Sequence, residues 1–175
     1  MSGEFFYALK SPENGQKTGV LKNINLSVSG GRIIGLLGQN GMGKTTLIKL
    51  INDLLTPTSG EVLIYGQKPS VASKEIISFL PERTYLDKTR TVEQTVKFFA
   101  DFYDNFDSEK AYSLLADLGL EKHQKLSKMS NGMREKVQLA LVMRRKAELY
   151  VLDEPLGGVD PATRDYILDT ILSNF

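Results

Sequence analysis

Gly38, Gly43, Lys44 and Thr45 stand at the spacing G-x-x-x-x-G-K-[ST], within the run Gly38-Gln39-Asn40-Gly41-Met42-Gly43-Lys44-Thr45-Thr46. This is a P-loop pattern: backbone N–H groups wrap phosphates, the lysine reaches β- and γ-oxygens, and the threonine hydroxyl ligates Mg²⁺. Gly41 and Gly43 let the backbone approach the phosphates without Cβ clashes, and Met42 is assigned backbone contacts only. A magnesium ion at such a loop needs a carboxylate, and Leu149-Tyr150-Val151-Leu152-Asp153 has the Walker B form, an apolar strand ending in Asp153. The adjoining Glu154 can polarise a water for attack on a γ-phosphate. Alone, Asp153-Glu154-Pro155 would read as a solvated turn; beside a complete P-loop it reads as chemistry.

Those residues need elements to position them. Residues 32–37, Arg-Ile-Ile-Gly-Leu-Leu, form an apolar run suited to a strand buried on both faces. Leu47, Ile48, Ile51, Leu54 and Leu55 then recur at helical spacing. Strand, glycine loop and helix together aim N–H groups and a positive helix end at a phosphate. Further strands are expected over residues 4–9, 24–28, 60–66 and 76–80, the last stopped by Pro81. Thr91-Val92-Glu93-Gln94 has the form of a capping box, with Val92, Val96, Phe99 and Phe102 along one helical side. The aromatic group Phe98, Phe99, Phe102, Tyr103 and Phe106 reads as a core stripe. A second helix is expected from Ser108 to Leu118, stopped by Gly119, and a third from about Ser130 to Arg145. Asp160-Pro161 reads as an N-cap followed by proline in the first turn of another.

Composition narrows the class. The chain has 175 residues, 41 % hydrophobic and 25 % charged, as expected of a globular domain with a sizeable core. Twenty-two basic against twenty-one acidic residues leave a net charge of +1, so no global basic excess points to nucleic acid. With no cysteine, the sequence has no disulfide, thiolate metal site or cysteine nucleophile. No apolar run is long enough to span a bilayer, and the start of the chain lacks the form of a signal peptide. The expected setting is cytosolic.

Residues 128–136, Lys-Met-Ser-Asn-Gly-Met-Arg-Glu-Lys, carry a resemblance. Met129-Ser130-Asn131-Gly132-Met133 resembles the Leu-Ser-Gly-Gly-Gln signature of the ATP-binding cassette (ABC) family, and it precedes Asp153 at the family's usual distance. Ser130 and Gly132 match; Met129, Asn131 and Met133 depart. A serine at a helix N-terminus with exposed N–H groups can hold a γ-phosphate presented by another subunit, or it can simply cap its own helix. Residues 157–160, Gly-Gly-Val-Asp, resemble the D-loop, with Asp160 as the matching residue. Glu82 stands where the family's Q-loop has glutamine, and could hold magnesium or water. Tyr7 is the best match for the adenine-stacking aromatic, with Phe6 next. The resemblance covers nearly the whole chain and is nearest to bacterial multidrug or acetoin-type exporters.

The resemblance implies an α/β P-loop NTPase core of RecA-like ABC type, with an N-terminal antiparallel β subdomain and a helical insertion. Residues 1–84 and 146–175 would form the core, and residues 85–145 the helical subdomain bearing the signature. It also implies an ATP-binding and ATP-hydrolysing subunit using Mg²⁺, with Lys44 and Glu154 catalytic and Thr45, Asp153 and Glu82 at the metal. ATP would lie between the P-loop of one copy and Ser130-Asn131-Gly132 of another. The partner would be a separate membrane permease, with the chain peripheral on the inner face of the membrane and no nucleic acid bound. A soluble ABC-type ATPase and an ATP-gated clamp are the alternatives. The family continues beyond the D-loop to a switch histidine, which His123 cannot be, so the expectation is a C-terminally truncated chain that binds ATP but turns it over weakly.

Overall fold

The computed structural model describes residues 4–9, 20–155 and 161–172. The chain divides into two units, Met1–Lys74 and Glu75–Phe175.

In the first unit β1 (Glu4–Leu9) is the centre of an antiparallel sheet, flanked by β2 (Ile24–Ser29) and β3 (Glu61–Leu63). Tyr7 pairs with Leu26 on one side and Val62 on the other. β3 is shorter than its apolar run. Tyr65 and Gly66 take φ of +51° and +76°, and Ile64 and Gln67 exchange backbone hydrogen bonds across them, a two-residue hairpin turn. Helix α1 (Lys44–Ile51) buries Leu47, Ile48 and Leu50. It ends sooner than its periodicity implies: Asn52 caps it with Nδ2 on the Ile48 carbonyl (2.8 Å), and Asp53 turns to φ +55°. Leu54 and Leu55 therefore lie outside the helix and are exposed.

Residues 32–37 differ more. They form no strand, and Ile33, Ile34, Leu36 and Leu37 are all exposed, Leu37 at 93 %. A strand buried on both faces needs a neighbour on each edge and cover above and below. The described strands of this unit form the antiparallel trio, and none of them pairs with residues 32–37.

The short helix α2 (Val71–Ile76) runs across the division and has no counterpart in the sequence reading. It buries no residue, so it leaves no apolar period, and Ser70 and Ser73 cap its start through reciprocal N–H to hydroxyl bonds.

In the second unit β4 (Ile77–Leu80) pairs in parallel with β5 (Leu149–Leu152), from Ile77 opposite Leu149 to Leu80 opposite Leu152. Between them in the chain lies a helical block: α3 (Val92–Phe102), α4 (Ser108–Asp117) and α5 (Asn131–Met143). The capping box forms as expected, Gln94 N–H to Thr91 Oγ1 (3.2 Å) and Thr91 N–H to Gln94 Oε1 (2.9 Å). Asp107 caps α4, and Gly119 at φ +72° terminates it, again as expected. Val92, Val96, Phe99, Leu115, Leu126, Val137 and Leu141 form the block's core.

The aromatic stripe is only partly core. Phe99 is buried, but Phe98 and Phe102 are exposed and stack on each other at 6.1 Å, with the Arg90 guanidinium 4.2 Å over Phe98. They are four residues apart and share a face rotated off the buried Val92–Val96–Phe99 line.

A second core of Leu80, Leu139, Val142, Met143 and Ile167 joins the parallel strands to α5 and to α6 (Pro161–Leu172). Arg145 pins the start of β4 through the carbonyls of Ile77 (2.6 Å) and Glu75 (2.7 Å), and lies 3.7 Å over the Tyr103 ring. Burial holds its pKa below the usual guanidinium value. Leu141 is fully buried, and Leu141→Ala should cost about 2–5 kcal/mol, read as a lowered urea midpoint at constant slope.

Candidate functional site

The first unit carries a turn before α1 whose geometry suits a phosphate. Gly41 and Gly43 take φ of +83° and +92°, values that L side chains rarely adopt. Gly43 is the N-cap and provides no side-chain cap, and the first turn of α1 holds no acidic residue. A helix that starts this way presents its first N–H groups and its positive dipole end outward, which is what an anionic phosphate needs. Lys44 folds over the turn, with Nζ donating to the carbonyls of Gly38 (2.7 Å) and Gln39 (3.1 Å). The ammonium thus already lies against the loop that would carry phosphate. Gln39, Asn40 and Met42 are exposed, while Thr45 and Thr46 are half-buried in the first turn.

The second unit carries a carboxylate cleft of its own. The parallel register brings Leu80 and Leu152 level, so Pro81-Glu82 and Asp153-Glu154 leave the sheet at the same end. The Asp153 N–H donates to the Leu80 carbonyl (2.8 Å), extending the ladder by one bond. Asp153 is buried and Glu154 exposed. Glu154 takes φ +53°, a left-handed conformation for a non-glycine residue; such strain tends to persist at functional positions. Glu82, Asp153 and Glu154 line one cleft together with Pro81, Glu135 and Gln138.

Glu135 and Gln138 are absent from the sequence reading. They lie three residues apart on α5, on the face turned to the cleft. Gln138 is 1 % exposed. Its Oε1 accepts from the Tyr85 N–H (3.1 Å) and its Nε2 donates to the Pro81 carbonyl (3.5 Å), bracketing the Glu82 turn. The signal was a glutamine set inside the apolar run Val137-Gln138-Leu139-Ala140-Leu141.

Ser130 does cap its own helix: its Oγ accepts from the Met133 N–H at 3.2 Å. The cap uses a hydroxyl lone pair, whereas a phosphate oxygen would take the hydroxyl proton, so the two roles are chemically compatible. Asn131 is exposed and Gly132 half-buried in the first turn of α5. His123 stands apart from the cleft, exposed, with Nδ1 3.5 Å from Glu93. Tyr7 is placed only by its backbone at the middle of β1. Asp160 lies outside the described residues, though α6 begins at Pro161 as the sequence implies.

Among the described residues no group of three or more His, Cys, Asp and Glu side chains is gathered for a metal ion. Mg²⁺ takes one or two protein oxygens and leaves its other positions to water and phosphate; Thr45 in the first unit and Asp153 in the second are each a donor of that kind. Among the described residues no helix is long and apolar enough to cross a membrane.

Comparison with known proteins identifies the family. Residues 21–157 match the family described as ABC transporter. The linearmycin resistance ATP-binding protein LnrL of Bacillus subtilis is 32 % identical over 165 residues, covering 90 % of this chain and 53 % of the relative. The zinc import ATP-binding protein ZnuC of Pseudomonas savastanoi is 39 % identical over 145 residues, covering 82 % and 51 %. The chain thus spans about half the length of the curated relatives it matches. Among solved structures, an ABC transporter ATP-binding protein from Pyrococcus furiosus superposes with a TM-score of 0.81 at 31 % identity, covering 97 % of this chain and 84 % of that one. An ATP-binding subunit of an ABC transporter superposes at 0.84 with 25 % identity, covering 98 % and 74 %. With its phosphate turn, its carboxylate cleft and a family match over most of its length, the chain belongs to the ABC transporter family and carries that family's ATP-binding domain.

Proposed function

We propose that the protein binds and hydrolyses Mg²⁺-ATP to drive a separate membrane permease, with the nucleotide held between two copies. The observation that carries the reading is the phosphate cradle: an uncapped helix start behind two left-handed glycines, with Lys44 folded across it. In this reading Lys44 moves from the loop carbonyls to the β- and γ-phosphate oxygens, and the N–H groups of residues 41–46 take the remaining ones. Bound Mg²⁺ would neutralise charge on the β- and γ-phosphates, held by Thr45 and Asp153. Glu154 accepts a proton from the attacking water, and Glu82 orients water at the edge of the same cleft. Ser130, Asn131 and Gly132 of the second copy close the γ-phosphate, with Asp160 beside them and Tyr7 under adenine. The helical subdomain over residues 85–145 and the Glu82 turn form the surface for the permease, which makes the protein peripheral on the inner face of the membrane.

Support also comes from the relatives, which include a resistance and an import ATP-binding protein. Lys44→Ala in the full-length protein should weaken ATP binding by about 10- to 100-fold, the worth of a charge-assisted bond. Titration with a fluorescent ATP analogue measures it. Unchanged affinity would remove the cradle from the account. Co-purification with a polytopic membrane protein separates a transporter subunit from a soluble ABC ATPase, for which nucleic acid or ribosomes would be recovered instead.

A further inference from the structure

Resting on the proposed function, we propose that Arg134 is a positioning residue: with Asn131 it braces the turn that presents Ser130 to nucleotide. Arg134 lies in the first turns of α5 and is 8 % exposed. Its Nη1 donates to the carbonyls of Leu126 (3.2 Å) and Met129 (2.5 Å), and its Nη2 donates to Asn131 Oδ1. Nε is buried with no hydrogen-bond partner. Among the described residues this guanidinium bonds to two carbonyls and an amide, all neutral.

That is an unusual place for a buried cation. A positive charge near a helix N-terminus opposes the helix dipole, and burying one without a carboxylate is costly. What offsets the cost is local. The Leu126 carbonyl also accepts the Met129 N–H that closes the 3-10 turn Leu126–Lys128, and Met129 is the residue that ends it, so the fork grips the carbonyls at the first and last steps of that turn. The same fork holds the first side chain of α5. The guanidinium therefore ties together the residues on both sides of Ser130, and the direction of the Ser130 hydroxyl and the following N–H groups depends on it.

Asn131 is where this chain departs from the glycine of the signature it resembles. Its side chain is bound to Arg134 rather than unattached, so the departure has a partner. A glycine at this position would leave Nη2 without its acceptor and relax the turn. The pair supplies rigidity that glycine would not.

The test uses the full-length protein with Arg134→Lys and Asn131→Ala, singly and together. Lysine keeps the charge but cannot fork, and Asn131 is exposed, so its alanine variant should fold even if changes at the buried arginine do not. Each single variant should lower kcat for ATP about tenfold, and Arg134→Lys, which touches no nucleotide, should keep fluorescent-ATP affinity within about twofold of wild type. The double variant should be no worse than either single, because one brace has been removed. Amide exchange over residues 129–133 should be faster in every variant, with or without nucleotide. Wild-type kcat in Asn131→Ala, multiplied losses in the double variant, or unchanged exchange would each overturn the brace. If the wild-type protein shows no ATP turnover or ATP-driven pairing, the functional reading fails and the exchange data judge the brace independently.

Discussion

Glu154→Gln is expected to lower kcat for ATP hydrolysis by about 10²–10⁴-fold while leaving ATP affinity close to wild type. The substitution keeps the size and shape of the side chain and removes only its basicity. Glu154 suits the role because it is exposed at the mouth of the cleft, directly after the buried Asp153, and is held at φ +53°. The turn that aims it is anchored by the Asp153 N–H on the Leu80 carbonyl, so the amide variant should sit in the same place. With ATP bound and hydrolysis blocked, two copies should remain paired. Size-exclusion chromatography with light scattering would then show an ATP-dependent dimer that wild type forms only transiently. A variant whose turnover matches wild type would instead favour an ATP-gated clamp, in which nucleotide drives association without cleavage. Asp153→Asn gives a distinguishable result: it should weaken the dependence of binding on Mg²⁺, because a carboxylate charge is lost at the ion rather than at the water.

Gly43→Ala should abolish ATP binding and destabilise the first unit. Two independent penalties meet at this residue. Its φ of +92° is outside what a residue with a Cβ tolerates, and a Cβ here would lie 2.6 Å from Leu21 Cδ2 and 3.0 Å from Val20 Cγ1. The leucine tip can move, but the backbone torsion cannot be relieved without unwinding the start of α1. Backbone strain of this kind costs about 1–3 kcal/mol before any clash. Gly41→Ala is the informative control. It shares the positive φ, +83°, but meets nothing within 4 Å. It should therefore bind ATP poorly for want of the right turn, yet unfold closer to wild type. Thermal unfolding with and without nucleotide separates the two: Gly43→Ala should melt earlier and gain nothing from ATP. Equal melting points for the two alanine variants would mean that packing against Leu21 contributes nothing.

The elements legible in the chain were those whose cause is local. The Thr91–Gln94 capping box, the Gly119 stop, the Ser130 cap and the start of α6 at Pro161 all depend on hydrogen bonds or torsions within a few residues. The P-loop belongs to this class, since glycine torsions and a helix start build it from consecutive residues. The family itself was legible for the same reason: its motifs are short and its chemistry is tied to residue type.

What the chain alone left open depends on distant partners. The apolar run over residues 32–37 has the composition of a doubly buried strand, yet composition cannot supply neighbours, and the run stays exposed and unpaired. The spacing of Phe98 and Phe102 suggests core, but aromatic spacing reports only which residues share a face, whereas burial depends on what packs against it. Gln138 looked like a polar residue in an apolar run until the fold brought the Pro81 and Tyr85 backbone groups to its amide. Arg134 shows no role in the chain itself, and its bonds to the Leu126 and Met129 carbonyls appear only once the 3-10 turn is folded back against α5. Hydrogen-bond donors and acceptors are visible in a sequence; which of them meet across fifty residues is a property of packing.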